Sequence, residues 1–401
     1  MKKLLLVFLF IAGNLTGFAQ DKVDLLIRSE KILAAGDTTR ALAAFNETLR
    51  IYPESFAAAL RLSEIYYQIK DYDMAIQYCN VGLDITDDLI ESTERSLNIL
   101  GMEPDSSNRF RKFTTDQAYM HHLKGKIRLQ QSRLLDAEEE YKKALKLHPT
   151  NQSIVLSLAE VLSEQGRLNE TKLVLNKAIK RDTSNIQVRM TLGSLYKSLG
   201  NTDSAKYHWN KIVKINPNYK WVYLQLGNLH TDLLQPKKAI TQYDRFIELD
   251  TTSAEVYYRR AVLKIEQTEY SSALNDWGKV VELDSQNADA YRNKGLTNFQ
   301  LENYEKAILD FENALLYQPK QNYTHVNIGY CYYLLNKPKT ALEYINKGLE
   351  IKPDYPLGHY FKALTYYQLR KRKKACHSLS KALELGFNEH EVVKGLLEKC
   401  L

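Results

Sequence analysis

The stretch ADAYRNKGLTNFQLENYEKAILDFENALLYQP, residues 288–319, holds two helical patterns around a short polar turn. Counted from its first residue, Gly295 stands at position 8, Ala307 at position 20, Phe311 at position 24 and Pro319 at position 32. Small residues at positions 8 and 20 let two helices cross closely, and the ring at position 24 fills the space between them. A proline ends the second helix, because it disfavours helix in the residue before it. The stretch therefore predicts a helical hairpin.

The same pattern recurs along the chain at a constant interval of about 34 residues, with one insertion. Ten repeats, numbered 1–10 below, begin at Lys22, Phe56, Ala118, Gln152, Ile186, Lys220, Ala254, Ala288, Asn322 and Pro356. Position 8 is Gly, Ala or Ser throughout, and position 20 is Ala in every repeat except repeat 4, where it is Thr171. One hairpin cannot bury its apolar faces alone, so the repeats are expected to stack on one another.

This register resembles the tetratricopeptide repeat (TPR), a unit of about 34 residues with two helices, called A and B. The resemblance implies an all-α fold: a right-handed α-α superhelical solenoid of about ten TPR hairpins, forming one domain over residues 20–401. The terminal repeat of such an array needs its exposed apolar face covered. The short helical pattern at 389–401 is predicted to be that capping helix.

The segment 1–19 has the pattern of a signal peptide. Lys2 and Lys3 precede the apolar run 4–12, and Gly17-Phe18-Ala19 offers small residues for cleavage. No cysteine follows directly, and the run is short for a membrane span, although a retained anchor is the alternative. We therefore expect an exported bacterial protein, periplasmic or secreted, with no transmembrane segment in its mature form. Its formal charge of +7 is spread along the chain and does not favour nucleic-acid binding.

An insertion of about 28 residues interrupts the regular spacing between repeats 2 and 3. Helical spacing continues through Leu97 and Leu100 and stops at Gly101, a residue typical of helix C-caps. We predict that helix B of repeat 2 and helix A of repeat 3 are both lengthened, so that residues 88–117 form a projecting helical hairpin. It could contact a partner, or it could be a packing element without a ligand.

Two of the four cysteines fall near the C-terminus. Cys376 lies in helix B of repeat 10, and Cys400 lies in the predicted capping helix. Since export favours oxidation, a Cys376–Cys400 disulfide is predicted, with two separate thiols as the alternative. Cys79 and Cys331 fall at core positions of their repeats.

The resemblance also implies where a partner binds, because positions 2, 5, 9, 12 and 13 of helix A line the concave groove of TPR proteins. The candidate groove residues are Trp221, Asn228, Tyr258, Arg292, Phe299, Tyr323, Tyr330, Tyr333, Tyr360 and Tyr367. Tyrosine offers a large contact area at low entropic cost, which suits recognition of a peptide. The alternative is that these rings pack against neighbouring helices.

Some TPR proteins grip a C-terminal carboxylate with a cation at position 5 and Asn at position 9. In repeat 8, Arg292 occupies position 5 but position 9 is Leu296. In repeat 6, Asn228 occupies position 9 but position 5 is Leu224. The full clamp is therefore missing. The basic run 370–374 falls on the last A–B turn, where it is either solvated or in contact with an anionic partner or membrane surface. Acidic runs such as 138–140 are expected on the solvated face.

No catalytic motif, cofactor-binding loop or metal-ligand spacing is present in the sequence. His121, His325 and His359 all occupy position 4, where packing is favoured over metal binding. We therefore expect a non-enzymatic scaffold without cofactors, which binds peptide or helical segments of partner proteins and assembles envelope or secretion complexes. The alternatives are a carbohydrate or cell-wall binding module, and a non-catalytic subunit of an enzyme complex.

Overall fold

The computed structural model describes residues 20–104 and 107–387, and all regular structure in these ranges is helical. The described residues form two compact bodies, one ending at Lys211 and the other beginning at Ile212, with the boundary inside the helix Thr202–Ile215. The predicted all-α fold of stacked TPR hairpins is confirmed. That the array is one continuous domain stays a prediction. The predicted signal peptide (1–19) and capping helix (389–401) lie outside the described residues.

The N-terminal body contains the first five hairpins. Its helices are α1 (20–34), α2 (Thr38–Ile51), α3 (Phe56–Gln68), α4 (Tyr72–Ile99), α5 (Asn108–Gln130), α6 (Leu134–Leu147), α7 (Gln152–Glu164), α8 (Leu168–Arg181), α9 (Ile186–Ser198) and α10 (Thr202–Ile215). Odd-numbered helices are the A helices of repeats 1–5, and even-numbered helices are the B helices.

The C-terminal body continues the same alternation through repeats 6–10. Its helices are α11 (Lys220–Asp232), α12 (Pro236–Leu249), α13 (Ala254–Glu266), α14 (Tyr270–Leu283), α15 (Ala288–Gln300), α16 (Tyr304–Tyr317), α17 (Asn322–Leu334), α18 (Pro338–Ile351), α19 (Pro356–Gln368) and α20 (Arg372–Glu384). Each A helix here has 13 residues.

Positions 8, 20 and 24 form the centre of every hairpin. The side chains at positions 20 and 24 are at most 1% exposed in all ten repeats. A Cβ atom placed on Gly193, at position 8, would lie 2.2 Å from the indole nitrogen of Trp209, at position 24. The same addition to Gly227 would lie 2.4 Å from the ring of Tyr243. Position 8 is small because the position-24 side chain lies directly against the helix-A backbone.

Every A–B turn contains one residue in the left-handed region, always at position 15. This residue is Gly36, Gly166 or Gly200 in three repeats, and Lys70, Ser132, Leu234, Thr268, Glu302, Asn336 or Arg370 in the others. The next N–H then bonds to the carbonyl five residues earlier, as from Gln235 to His230 at 2.9 Å. This is the Schellman arrangement that satisfies the last carbonyls of a helix. Seven repeats thus use a residue with a Cβ where glycine is favoured.

We expect Leu234→Gly to raise the free energy of unfolding by about 1 kcal/mol, because it removes the left-handed strain of a non-glycine residue. Leu234 has φ of 53° and a side chain that is 89% exposed, so little packing is lost. Urea denaturation of the two proteins measures the difference. The reverse change, Gly166→Ala, should destabilise by a similar amount. A stability that did not respond to either change would contradict the strain argument.

The segment between repeats 2 and 3 consists of two long helices. Helix α4 has 28 residues and α5 has 23, and Gly101 adopts φ of 64° just after α4. The helices pack along their extended parts, where the side-chain amide of Gln117 donates to the Asp87 carboxylate. At the end of α4, Ile99, Leu100 and Met102 are exposed.

The three described cysteines differ in oxidation state. Cys79 and Cys331 are buried free thiols, and burial raises the pKa of each to about 12. Cys376 is disulfide-bonded. Cys400 lies outside the described residues, so its pairing with Cys376 stays a prediction.

Two buried histidines of the N-terminal body make its stability sensitive to acid. Burial lowers the pKa of His122 to about 4, with Lys126 adding to the shift, and burial likewise lowers the pKa of His208 to about 4. The His122 ring lies against Tyr141, and its Nε2 is 3.0 Å from the Ser157 hydroxyl oxygen. Between about pH 6.5 and pH 4, the His122 imidazole therefore binds a proton in the unfolded chain but remains neutral in the folded chain. The stability that this histidine provides is complete above pH 6.5 and is lost as the pH falls towards 4.

We expect His122→Gln to reduce the loss of stability between pH 7 and pH 5 by about 2 kcal/mol, the linkage value for a histidine shifted to about 4. Glutamine keeps a polar group near Ser157 but does not titrate in this range. Urea denaturation at both pH values provides the measurement. His377→Gln removes an exposed histidine and should leave the pH dependence of the N-terminal body unchanged. Equal slopes for wild type and His122→Gln would refute the assignment.

Candidate functional site

All predicted groove residues lie on A helices of the C-terminal body, and their exposure differs widely. Trp221 and Tyr367 are exposed, with 47% and 39% of their surface accessible. Tyr360 is buried, and the remaining seven are half-buried: Asn228, Tyr258, Arg292, Phe299, Tyr323, Tyr330 and Tyr333. We call the surface formed by these positions of the A helices the helix-A face. Its exposed rings fit the binding interpretation, and its buried ring fits the packing interpretation.

Three of the half-buried rings and one buried ring form a continuous stack across helices α15, α17 and α19. Tyr330 stacks on Phe361 with a centroid distance of 3.9 Å and an interplanar angle of 2°. Tyr333 stacks on Tyr330 at 5.8 Å, and the Phe299 ring lies 5.7 Å from that of Tyr330 with an interplanar angle of 36°. We call Phe299, Tyr330, Tyr333 and Phe361 the aromatic cluster. Because each ring is held by another, the cluster presents a fixed apolar surface.

Tyr360 does not line this surface, contrary to the prediction from its repeat position. Only 4% of Tyr360 is exposed, and its ring stacks on Phe387 with a centroid distance of 4.5 Å. Phe387 lies three residues after the end of α20 and packs against α19 through this contact. Tyr360 therefore belongs to the core behind the cluster. Its neighbour Phe361, at position 6, was missed by the sequence reading and supplies the base of the stack.

The polar groove residues are bound to other side chains of the same body. The Arg292 guanidinium donates to the Tyr323 hydroxyl at 2.9 Å and pairs with Asp289 at 2.9 Å. The Asn228 side-chain oxygen accepts a hydrogen bond from the Tyr243 hydroxyl at 2.8 Å. Neither side chain is arranged as half of a carboxylate clamp, which agrees with the incomplete sequence motif.

Tyr258 and Trp221 lie on the same face, in repeats 7 and 6. The Tyr258 ring meets Trp277 edge-on at 4.9 Å, and its hydroxyl accepts a hydrogen bond from the Asn293 amide at 3.1 Å. Trp221 contacts Phe246 edge-on at 5.8 Å, and the Lys220 amino group lies 4.9 Å from the centre of its ring. Trp221 is thus anchored at one edge and open at the other.

The acidic run 138–140 is not a uniformly solvated face, as the sequence reading expected. Glu138 and Glu140 are buried, while Glu139 is exposed. Glu138 pairs with Arg167 at 2.6 Å, and Glu140 lies 2.6 Å from His121 and 3.3 Å from Lys124. These carboxylates have structural partners. For Glu140, the available signal was the cation at position 7 of the same repeat.

The position-4 histidines have structural roles in the described parts of the chain. His325 Nε2 lies 3.1 Å from the carbonyl oxygen of Pro319, and His359 Nε2 lies 2.7 Å from that of Pro353. Tyr223, also at position 4, donates to the Pro217 carbonyl at 2.8 Å. Within 20–104 and 107–387, no group of three His, Cys, Asp or Glu side chains could hold a metal ion. Nor does any helix in these ranges have the length and apolar content of a membrane span.

Comparison with known proteins agrees with the repeat register. Profiles described as tetratricopeptide repeat match residues 33–89, 128–195, 186–219, 258–323 and 323–355. No curated protein sequence matches the chain significantly.

Several solved structures are similar over parts of the chain. The MamA protein is 28% identical, with a TM-score of 0.40, over 42% of this chain and 92% of its own. YrrB, titled a TPR protein with an unusual peptide-binding site, is 21% identical, with a TM-score of 0.42, over 47% of this chain and 97% of its own. A chain of the APC/C hetero-tetramer Cut9-Hcn1 is 17% identical, with a TM-score of 0.38, over 94% of this chain and 75% of its own. Because the matched profiles together cover more than half of the sequence and the helical hairpins follow the same register, the chain belongs to the tetratricopeptide repeat family.

Proposed function

We propose that this chain is a non-enzymatic scaffold that binds a peptide or helical segment of a partner protein on the helix-A face of repeats 8–10. The TPR fold is that of a protein-interaction scaffold, and the aromatic cluster is the observation that supports this choice of face. It combines half-exposed rings with a rigid arrangement, so a partner side chain would meet apolar surface that is already ordered.

The chemistry around the cluster favours an apolar or aromatic side chain of the partner. Tyr367 lies exposed at position 12 of α19, next in the series that contains Phe299 and Tyr333. Tyrosine rings contribute large contact areas with few rotatable bonds, and their hydroxyls orient a peptide backbone. Arg292, already held by Tyr323 and Asp289, would act at the edge of the site.

We further propose that the protein acts outside the cytoplasm, in the assembly of envelope or secretion complexes. The pattern of residues 1–19 supports export, and the predicted Cys376–Cys400 disulfide is consistent with an oxidising compartment. Fusion of residues 1–19 to a reporter that is active only after export tests the first half of this statement. Retention of the reporter in the cytoplasm would contradict it.

Photo-cross-linking tests the proposed site directly. A benzoyl-phenylalanine residue at Tyr333 or Tyr367 of the mature chain should cross-link a defined protein from an envelope extract. The same probe at Tyr207, an exposed tyrosine of helix B in repeat 5, serves as the matched control. Cross-links of equal pattern from all three positions would contradict a site on the helix-A face.

The captured partner then permits a quantitative test. Tyr333→Ala combined with Tyr367→Ala should weaken its affinity at least about tenfold, since aromatic residues at the centre of interfaces carry much of the binding energy. Tyr207→Ala should leave the affinity unchanged. If no protein is captured and the chain is instead retained on purified wall material through these tyrosines, the carbohydrate-binding alternative replaces the proposal.

A further inference from the structure

Three repeats place a cation at position 7 of helix A against a carboxylate at position 23 of helix B. Lys124 lies 3.3 Å from Glu140 in repeat 3, Arg260 lies 2.5 Å from Asp276 in repeat 7, and Lys294 lies 2.8 Å from Asp310 in repeat 8. Each carboxylate is buried, and each cation is largely shielded from solvent. The repeat therefore has a fixed place in which a buried negative charge neutralises the position-7 cation.

Repeat 10 has the cation but lacks the carboxylate. Lys362 occupies position 7, and position 23 is Ser378, which is buried. Lys362 is half-buried, and this burial lowers the pKa of its amino group. No carboxylate of residues 20–104 or 107–387 forms an ion pair with Lys362. Repeat 1 also has an unmatched cation at position 7, Arg28, but that side chain is exposed and needs no counter-ion.

Lys362 lines a basic cleft between α19 and α20. The cleft has a volume of about 390 Å³. Lys362, Lys373, Lys374 and Lys381 line it, together with Ser378 and His377, and no Asp or Glu of the described residues 20–104 and 107–387 lines it. The Lys374 amino group lies over the Tyr366 ring, and Lys381 makes one exposed ion pair with Glu384, at 3.3 Å. Two of these lysines, Lys373 and Lys374, belong to the basic run 370–374. The sequence placed this run on the last A–B turn, but its residues 372–374 form the start of α20.

We propose that this cleft binds a phosphate group of a phosphorylated ligand, which takes the place that the position-23 carboxylate occupies in repeats 3, 7 and 8. A phosphate monoester carries a charge of about −1.5 to −2 and three acceptor oxygens, so it matches several amino groups and a hydroxyl better than a single carboxylate does. The cleft is larger than one phosphate ion, so it has room for part of the molecule that carries the phosphate.

The cleft is separate from the face proposed to bind protein segments. Positions 4, 7 and 11 of α19 face the cleft, whereas positions 5, 9 and 12 belong to the helix-A face. At 100° per residue these two sets are roughly 130° apart around the helix. A ligand in the cleft can therefore be bound together with a partner on the aromatic cluster.

Calorimetric titration of the mature chain with pyrophosphate and inorganic phosphate, at constant ionic strength with chloride as the balancing anion, tests the proposal. We expect saturable binding that Lys362→Met weakens at least about tenfold. Ser378→Asp should abolish binding, because it places a carboxylate at position 23. The new carboxylate should also pair with Lys362 and thereby raise the melting temperature. Lys306→Gln, in helix B of repeat 8, removes one lysine charge outside the cleft and should leave binding unchanged.

Co-sedimentation with vesicles distinguishes the two sources of a phosphate group. Binding to phosphatidic acid vesicles that is lost in Ser378→Asp would identify a lipid headgroup as the source, and pyrophosphate binding without vesicle binding would identify a soluble phosphorylated molecule. An absence of saturable binding to any of these probes overturns the proposal. Binding that survives unchanged in both Lys362→Met and Ser378→Asp also overturns it.

Discussion

Trp277→Ala should lower the free energy of unfolding of the C-terminal body by about 3–5 kcal/mol, the usual cost of emptying a large aromatic site in a core. Trp277 fills position 24 of repeat 7 and is fully buried, in contact with Tyr258 and within a core cluster that includes Ala261 and Ala273. The neighbouring helices are held by their own repeats, so they cannot easily close the cavity.

Trp277→Phe separates the loss of volume from the loss of the indole N–H. The Trp277 Nε1 atom is buried and has no hydrogen-bond partner in the described part of the chain, so its removal costs no hydrogen bond. Phenylalanine already occupies position 24 in repeats 1 and 8, as Phe45 and Phe311. We therefore expect Trp277→Phe to cost much less than Trp277→Ala, about 1 kcal/mol or less, because the smaller ring still fills most of the site.

Urea denaturation and hydrogen exchange of α13 and α14 provide the measurement. Trp221→Ala is the matched control, because it removes the same side chain from an exposed position on the helix-A face. It should cost only about 0.5–1.5 kcal/mol, the range for one edge-on aromatic contact. Similar losses for Trp277→Ala and Trp221→Ala would show that position 24 is not the centre of the hairpin.

The centre of the hairpin was predictable from the sequence because the same geometry recurs in every repeat. Gly193 and Trp209 stand at positions 8 and 24 of repeat 5, as Gly227 and Tyr243 do in repeat 6, and the same crossing of two helices brings each pair together. The left-handed turn residues repeat just as strictly, yet seven of them have a Cβ atom, so residue identity did not mark them. In these positions the hydrogen bonds of the helix end determine the backbone.

The candidate site was less predictable because exposure depends on neighbours outside the repeat pattern. Tyr360 and Tyr258 share position 5, but Phe387 covers only Tyr360. The buried carboxylates were missed for a related reason, since a run such as 138–140 has the composition of a solvated face. Arg167, His121 and Lys124 reach these carboxylates from outside α6, and the structure shows which of these charges meet.

Asp276→Ala should lower the free energy of unfolding by about 3–5 kcal/mol, because it leaves buried cations without their counter-charge. Asp276 is buried, with both oxygens engaged: one lies 2.5 Å from Arg260 and the other 2.8 Å from Lys264. Arg260 retains the partly exposed Asp244 at 2.6 Å, but Lys264 has no second ion pair among the described residues. Denaturation in urea at low and high salt should give nearly the same loss, since a buried pair is little screened.

Glu255→Gln is the matched control for this loss. It removes the partner of Arg259, an exposed pair on the same helix at 2.7 Å, and should cost less than about 1 kcal/mol. If Asp276→Ala cost no more than this control, the buried network would contribute no more than a surface pair.

Repeat 4 shows how the network can be replaced. Its positions 7, 11 and 23 are Leu158, Leu162 and Val174, an apolar set at the place of Arg260, Lys264 and Asp276. We expect the triple variant Arg260→Leu, Lys264→Leu and Asp276→Val to recover most of the stability that Asp276→Ala loses, and to fall within about 1–2 kcal/mol of the wild type. Well-packed apolar residues often replace buried ion pairs without loss, because no desolvated charge remains. Recovery would show that the repeat tolerates either chemistry provided that the charge at position 7 is matched, and the anion proposed for Lys362 rests on that same requirement.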